Sequence, residues 1–117
     1  MLNQFKKQVL MAVLCGTAGF AAAQSWPTKT ITVVVPFPPG GTTDVLARAV
    51  ATKLSANLGQ TVIVDNKPGA GATLGAAQVA KSNADGYTLL MGAVHHTIAT
   101  SVYKGLTYNL EKDFAPI

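Results

Sequence analysis

Residues 31–44, Ile-Thr-Val-Val-Val-Pro-Phe-Pro-Pro-Gly-Gly-Thr-Thr-Asp, constrain this chain more than any other stretch. A continuous β-branched run such as Ile31–Val35 suits a strand buried on both faces of a parallel sheet. A stiff Pro-Gly loop follows, and Thr42, Thr43 or Asp44 can cap the helix that comes next. A strand, a glycine turn and a helix start aim several backbone N–H groups at one point, where the helix dipole adds partial positive charge. No Lys or Arg lies between Ile31 and Val45. The stretch therefore predicts an anion site made of backbone, with Pro38 and Pro39 stiffening the loop.

The same logic recurs at residues 62–73, Val-Ile-Val-Asp-Asn-Lys-Pro-Gly-Ala-Gly-Ala-Thr. The pattern predicts strands at about 31–35, 61–65 and 87–91. Helices are expected at about 43–58 and 73–81, with Gly59 ending the first, and a loop with a short helix after Gly92. Leu46, Val50, Leu54 and Leu58, with Ala49 beside them, make the expected core stripe of the first helix, with Arg48, Thr52 and Ser55 largely off it. A β-α-β-α-β order implies a parallel sheet with right-handed crossovers. Ligands of such sheets bind beyond the carboxyl ends of the strands. Three loops meet there, and the candidate ligand-binding residues are theirs. They are Pro36, Phe37, Pro39, Gly40, Gly41, Thr42, Thr43 and Asp44 in the first, Gly69, Ala70 and Gly71 in the second, and Ala93, His95 and His96 in the third.

Several of these residues have a second reading. Asp44 is a helix cap or a partner for a ligand ammonium, the cap being favoured. Gly69, Gly71 and Gly75 either face a ligand or let helix and strand approach closely. His95 and His96 are adjacent and point different ways, and no further ligands complete a metal set. Trp26 and Tyr87 read as packing residues.

The N-terminus reads as an export signal. Lys6 and Lys7 precede an apolar run at 9–20, and Ala21-Ala22-Ala23 offers a cleavage site before Gln24. The run is shorter than the ~20 residues that span a bilayer. Cys15, the only cysteine, leaves with the signal. The chain carries nine Lys and Arg against five Asp and Glu, a net charge of +4, and two of those cations also leave. No basic run remains, so nucleic acid is not an expected partner. The sequence turns apolar at 114–117 with no polar tail, which reads as the first part of something larger.

The runs 31–44, 64–75 and 85–92 (Asp-Gly-Tyr-Thr-Leu-Leu-Met-Gly) together resemble the Bug-type solute receptors. These are the extracytoplasmic substrate-binding proteins of tripartite tricarboxylate transport systems. The resemblance continues through His96, Tyr103 and Asp113-Phe114-Ala115-Pro116. It implies an α/β periplasmic-binding-protein fold of the flytrap, type II-like kind. Residues 24–117 would be the N-terminal β-α-β-α-β part of lobe I, after a signal peptide at 1–23. It further implies a periplasmic monomer without a cofactor. Such a receptor binds a small carboxylic acid or related metabolite, largely through backbone groups of the strand-to-helix loops, and hands it to membrane transporter subunits. Ala72 stands where many relatives carry Gly, and Ala99-Thr100-Ser101 replaces a common Ile-Asn-Pro type run.

The competing class is an exported α/β enzyme or nucleotide-binding domain using the Gly69-Ala70-Gly71 loop. A dinucleotide turn expects an acidic residue ~20 positions on, at the end of the next strand. Here that strand ends in Met91-Gly92. No G-K-[ST] or G-x-S-x-G motif supplies other chemistry.

Overall fold

A computed structural model describes residues 25–117, so the expected signal peptide and Gln24 lie outside the described residues. Six elements follow in order: β1 (Ile31–Val35), α1 (Thr42–Leu58), β2 (Val62–Asn66), α2 (Thr73–Ala80), β3 (Thr88–Leu90) and α3 (His95–Val102). The strands form one parallel sheet in the order β2-β1-β3. This is the expected parallel α/β arrangement, with each boundary within two residues of its sequence-based place.

β1 takes the centre because its side chains suit burial on both faces. Ile31, Val33 and Val35 cluster with Ala47, Ala51 and Val62 on one face. Val34, on the other face, is equally inaccessible. The strand order then decides where the helices go. From β1 the chain steps one way to β2 and then back past β1 to β3. Right-handed crossovers in opposite directions place α1 and α2 on opposite faces of the sheet. The registers Val35↔Asn66 and Val34↔Leu90 bring the three carboxyl ends nearly level. The backbone continues this pairing, with Lys67 N donating to Val35 O at 2.8 Å and Met91 N to Val34 O at 2.9 Å.

The core stripe of α1 differs from expectation. Leu46 and Val50 are 52% and 45% exposed, and Ala49 is exposed, whereas Ala47 and Ala51 are buried. A strict every-fourth-residue row drifts by about 40° per step on a helix of 3.6 residues per turn. That row starts off the sheet at Leu46 and reaches it only at Leu54 and Leu58, which pack against the core. The buried row is Asp44, Ala47, Ala51, Leu54 and Leu58. Small alanines at its middle let the helix lie close to β1. Ser55 also turns inward, its Oγ accepting Val62 N–H at 2.8 Å. Gly59 ends the helix in the left-handed region at φ 65°, as its sequence position predicts.

α2 approaches the opposite face through Gly75. A Cβ built there would sit 2.8 Å from Lys67 O and 3.0 Å from Pro36 Cβ. Glycine to alanine inside a helix ordinarily stabilises by up to about 1 kcal/mol. Here the added methyl meets backbone and a buried proline. Gly75→Ala is therefore expected to destabilise the chain by about 1–3 kcal/mol, as overpacking does. Urea unfolding of the two proteins checks the sign: a higher midpoint for the alanine variant would show that this contact is not tight.

Candidate functional site

The first loop, residues 36–41, leaves β1 and enters α1 at Gly41. Gly41 is the N-cap, with φ −76° and ψ 167°, and no side chain caps the helix. Thr42, Thr43 and Asp44 are therefore not caps, contrary to the sequence reading. The N–H groups of Gly41, Thr42 and Thr43 have no acceptor within the helix. Gly41 and Thr42 are exposed, and Thr43 is half-buried. Gly40 differs: its N–H donates to Asp44 Oδ2 at 2.8 Å, so this amide is already used.

Asp44 is 3% exposed and sits inside a polar network. Its Oδ2 also accepts from Arg48 Nε at 3.0 Å, and its Oδ1 accepts from Asn66 Nδ2 at 2.9 Å. Asn66 Nδ2 reaches Phe37 O at 3.1 Å, and Arg48 Nη2 donates to Asn66 Oδ1 at 3.1 Å. The Arg48 guanidinium, the Gly40 N–H and the Asn66 amide together hold the Asp44 carboxyl at a pKa of about 2, against desolvation that opposes them. Arg48 and Asn66 escaped the sequence reading. The available signal was a side-chain amide at the carboxyl end of β2, level with the loop that follows β1.

The second loop turns left-handed over four residues: Gly69 at φ 133°, Ala70 at 47°, Gly71 at 61° and Ala72 at 65°. Such backbone costs a non-glycine residue roughly 1–2 kcal/mol. That is the physical reason a glycine suits position 72. Thr73 supports the turn, its Oγ1 donating to Ala70 O at 2.7 Å.

The third loop leads into α3 and docks on the other two. The His95 Nε2–H donates to Gly71 O at 2.6 Å; a carbonyl only accepts, so the proton is on Nε2. His96 is 2% exposed, its Nδ1 lies 3.1 Å from both Ala93 N and Ala93 O, and its Nε2 has no partner. The two imidazoles do point differently, 87° apart, yet both stack edge-on with Phe37, at centroid distances of 6.3 and 6.1 Å. Tyr103 closes the group, since a Cβ on Gly71 would collide with its hydroxyl. Phe37, Gly71, Ala93, His95 and His96 are thus gathered, beside the exposed Pro39, Gly40 and Gly41. Pro36 is buried beneath as support, and Gly69 and Ala70 lie exposed on the outer turn.

Among the described residues no group of three or more His, Cys, Asp or Glu comes together. A cavity of about 670 Å³ is lined by Arg48, Ala51, Thr52, Ser55 and residues 62–64. It lies on the α1 side of β2, not among the three loops. Trp26 packs on Tyr87 at 5.9 Å, and the Tyr87 hydroxyl accepts Thr28 N–H at 2.8 Å, near the amino end of β3.

A parallel sheet with an exposed helix start at its central strand's carboxyl end is common to many α/β proteins; the likeness to solved periplasmic binding proteins marks this one as part of their N-terminal lobe. The chain belongs to the tripartite tricarboxylate transporter receptor family, whose profile it matches over residues 46–117. It is 40% identical over 121 residues to protein BugT of Bordetella pertussis, covering 99% of this chain and 37% of that one. Among solved structures it resembles MatC from Rhodopseudomonas palustris with bound malate. There the TM-score is 0.72 and the identity 41%, over 78% of this chain and 31% of that one. It also resembles Rpa4515 of the same organism with adipate, at TM-score 0.55 and 51% identity, over 56% of this chain and 22% of that one. The match spans little more than a third of BugT and less than a third of the two solved structures.

Two measurements test the site's construction. Ala70→Gly should raise stability by about 0.5–1 kcal/mol, the relief of left-handed strain less the extra freedom of glycine in the unfolded chain. Chemical unfolding checks it, and a loss of stability would contradict the strained turn. Asp44 titrates near 2 when folded and from 3.8 in its ordinary state. Its contribution is present above about pH 4 and is lost as pH falls toward 2. Unfolding midpoints measured from pH 5 to pH 2 should fall, and Asp44→Asn should remove much of that slope while lowering stability at pH 7.

Proposed function

We propose that this chain forms the gripping wall of an extracytoplasmic receptor for a small carboxylic acid, which it delivers to membrane transporter subunits. The observation that carries this reading is the uncapped start of α1. It presents the amides of Gly41, Thr42 and Thr43 at the carboxyl end of the central strand. Malate-bound MatC, which shares the fold of this segment, supports the ligand class. The segment corresponds to the N-terminal part of lobe I, behind a signal peptide that directs it to the periplasm. The remainder of a receptor would supply the second wall of the crevice. A lone wall excludes little water, so its affinity is expected to be weak. The family is one of solute receptors, which supports this reading over the enzyme one.

Amide chemical shifts on titration with malate and adipate test the proposal, because they register millimolar binding. The amides of Gly41, Thr42 and Thr43 should shift with either acid and stay still with a neutral polyol. Gly41→Val separates site from scaffold. The nearest atom to a Cβ at Gly41 is Pro38 O at 3.7 Å, and its φ suits any residue, so the fold tolerates the change. The valine should shield the amides and weaken binding about tenfold or more, equivalent to about 1.4 kcal/mol. Unaltered binding would remove this loop from the site.

A further inference from the structure

We propose that Asp44, Arg48 and Asn66 are positioning residues: a clamp that holds the first loop in its ligand-ready shape without touching the ligand. The inference rests on the reading of that loop as the anion site. Its geometry is independent of any ligand.

Asn66 grips the entrance of the loop through Phe37 O, and Asp44 grips its exit through Gly40 N. Asn66 and Asp44 are joined directly, and Arg48 bridges the two from outside. The Asn66 amide can face only one way. Its Nδ2 meets two acceptors and its Oδ1 meets a guanidinium, so the flipped amide would set oxygen against oxygen. Asn66 is itself fixed, because it pairs with Val35 in the sheet register. The loop is therefore tied to β2 as well as to the two elements it connects. Pro38 and Pro39 lack N–H groups, and Gly40 holds φ 88°, which L side chains rarely adopt. A loop ordered in advance loses less entropy when a ligand arrives.

The arrangement also solves a charge problem. A carboxylate in the first turn of α1 would repel an anion from the same helix end. Arg48 lies against it and cancels that charge locally. The charges flanking Asn66, Asp65 and Lys67, pair with each other at 3.2 Å and leave the clamp undisturbed. With three hydrogen bonds already accepted and almost no exposed surface, Asp44 has little left for a ligand ammonium.

Exchange and relaxation of the backbone amides in the 117-residue chain, without ligand, test the clamp. In Asn66→Ala the Gly40 amide should exchange about tenfold faster, the weight of roughly one lost hydrogen bond. The order parameter of Gly41 should fall below about 0.6, while the amides of 33–35 keep their protection. Asn66→Asp supplies a signature that plain destabilisation lacks. It sets two carboxylates face to face, which can share a proton on acidification. Its loop should be loose at pH 7 and tighten as pH falls toward 4, whereas Asn66→Ala should show no such recovery. Unchanged Gly40 exchange in Asn66→Ala, or loss spread evenly into β1, overturns the clamp. So does an Asn66→Asp variant that tracks Asn66→Ala at every pH. Malate titration of the unaltered chain is a separate arm. If malate and adipate leave Gly41 unmoved while the exchange results hold, the ligand reading fails and the clamp stands.

Discussion

The burial of β1 on both faces is the constraint from which the rest of this structure follows. A strand with Ile31, Val33 and Val35 on one side and Val34 on the other cannot sit at an edge or under a single layer of helix. It needs a neighbour on each side and a helix on each face. Two right-handed crossovers satisfy both needs only if the chain reverses direction about β1. That reversal makes the carboxyl end of β1 the point where the flanking loops diverge. The divergence of the loops there is thus a by-product of covering a hydrophobic strand, and the exposed start of α1 lies there for the same reason.

What could be read from the residues in order was what depends on near neighbours. The β-branched run, the two Pro-Gly loops and the Gly59 stop are local signals, and each lies where its chemistry puts it. The core stripe of α1 failed because an every-fourth pattern is a poorer guide than true helical period. The eye follows the leucines, while the sheet selects Ala47 and Ala51, which permit close approach. Asn66, Arg48 and the His95–Gly71 bond were not legible for a different reason. Parallel register brings residue 66 level with residue 35, and the docking of α3 on the second loop sets residue 95 beside residue 71. Only the Asp44–Arg48 pair, four residues apart on α1, falls within one window along the chain. The unpartnered buried Tyr108 hydroxyl, with its ring against Phe114, is likewise a tertiary fact.

The second loop shows why position 72 differs in kind from a loop position of free composition. Four consecutive left-handed residues form a turn that presents the Gly71 carbonyl to His95. The strain at Ala70 and Ala72 is held by neighbours: Thr73 bonds the turn from within and Tyr103, just after α3, packs on it. Strain sustained in this way belongs where geometry must be held against relaxation. Here it keeps the second and third loops locked together, and Phe37 ties both to the first through the two imidazoles.

The proposed site, being made of backbone amides, has a consequence for selectivity. Helix-start N–H groups recognise negative charge and oxygen geometry, but they carry no side-chain shape of their own. Malate and adipate, the acids bound in two structures of similar fold, differ in length, and the proposed wall would meet only a carboxylate of either. In the proposed receptor, discrimination between ligands would come from what lies at the far end of the molecule, opposite this wall. A basic side chain in place of the amides would bind more strongly, yet it would move, and it would need its own counter-charge when the crevice is empty. Fixed dipoles need neither. The one charge beside the loop, on Asp44 in the first turn of α1, is paired with Arg48 one turn further on, so the proposed site carries no unpaired negative charge of its own there.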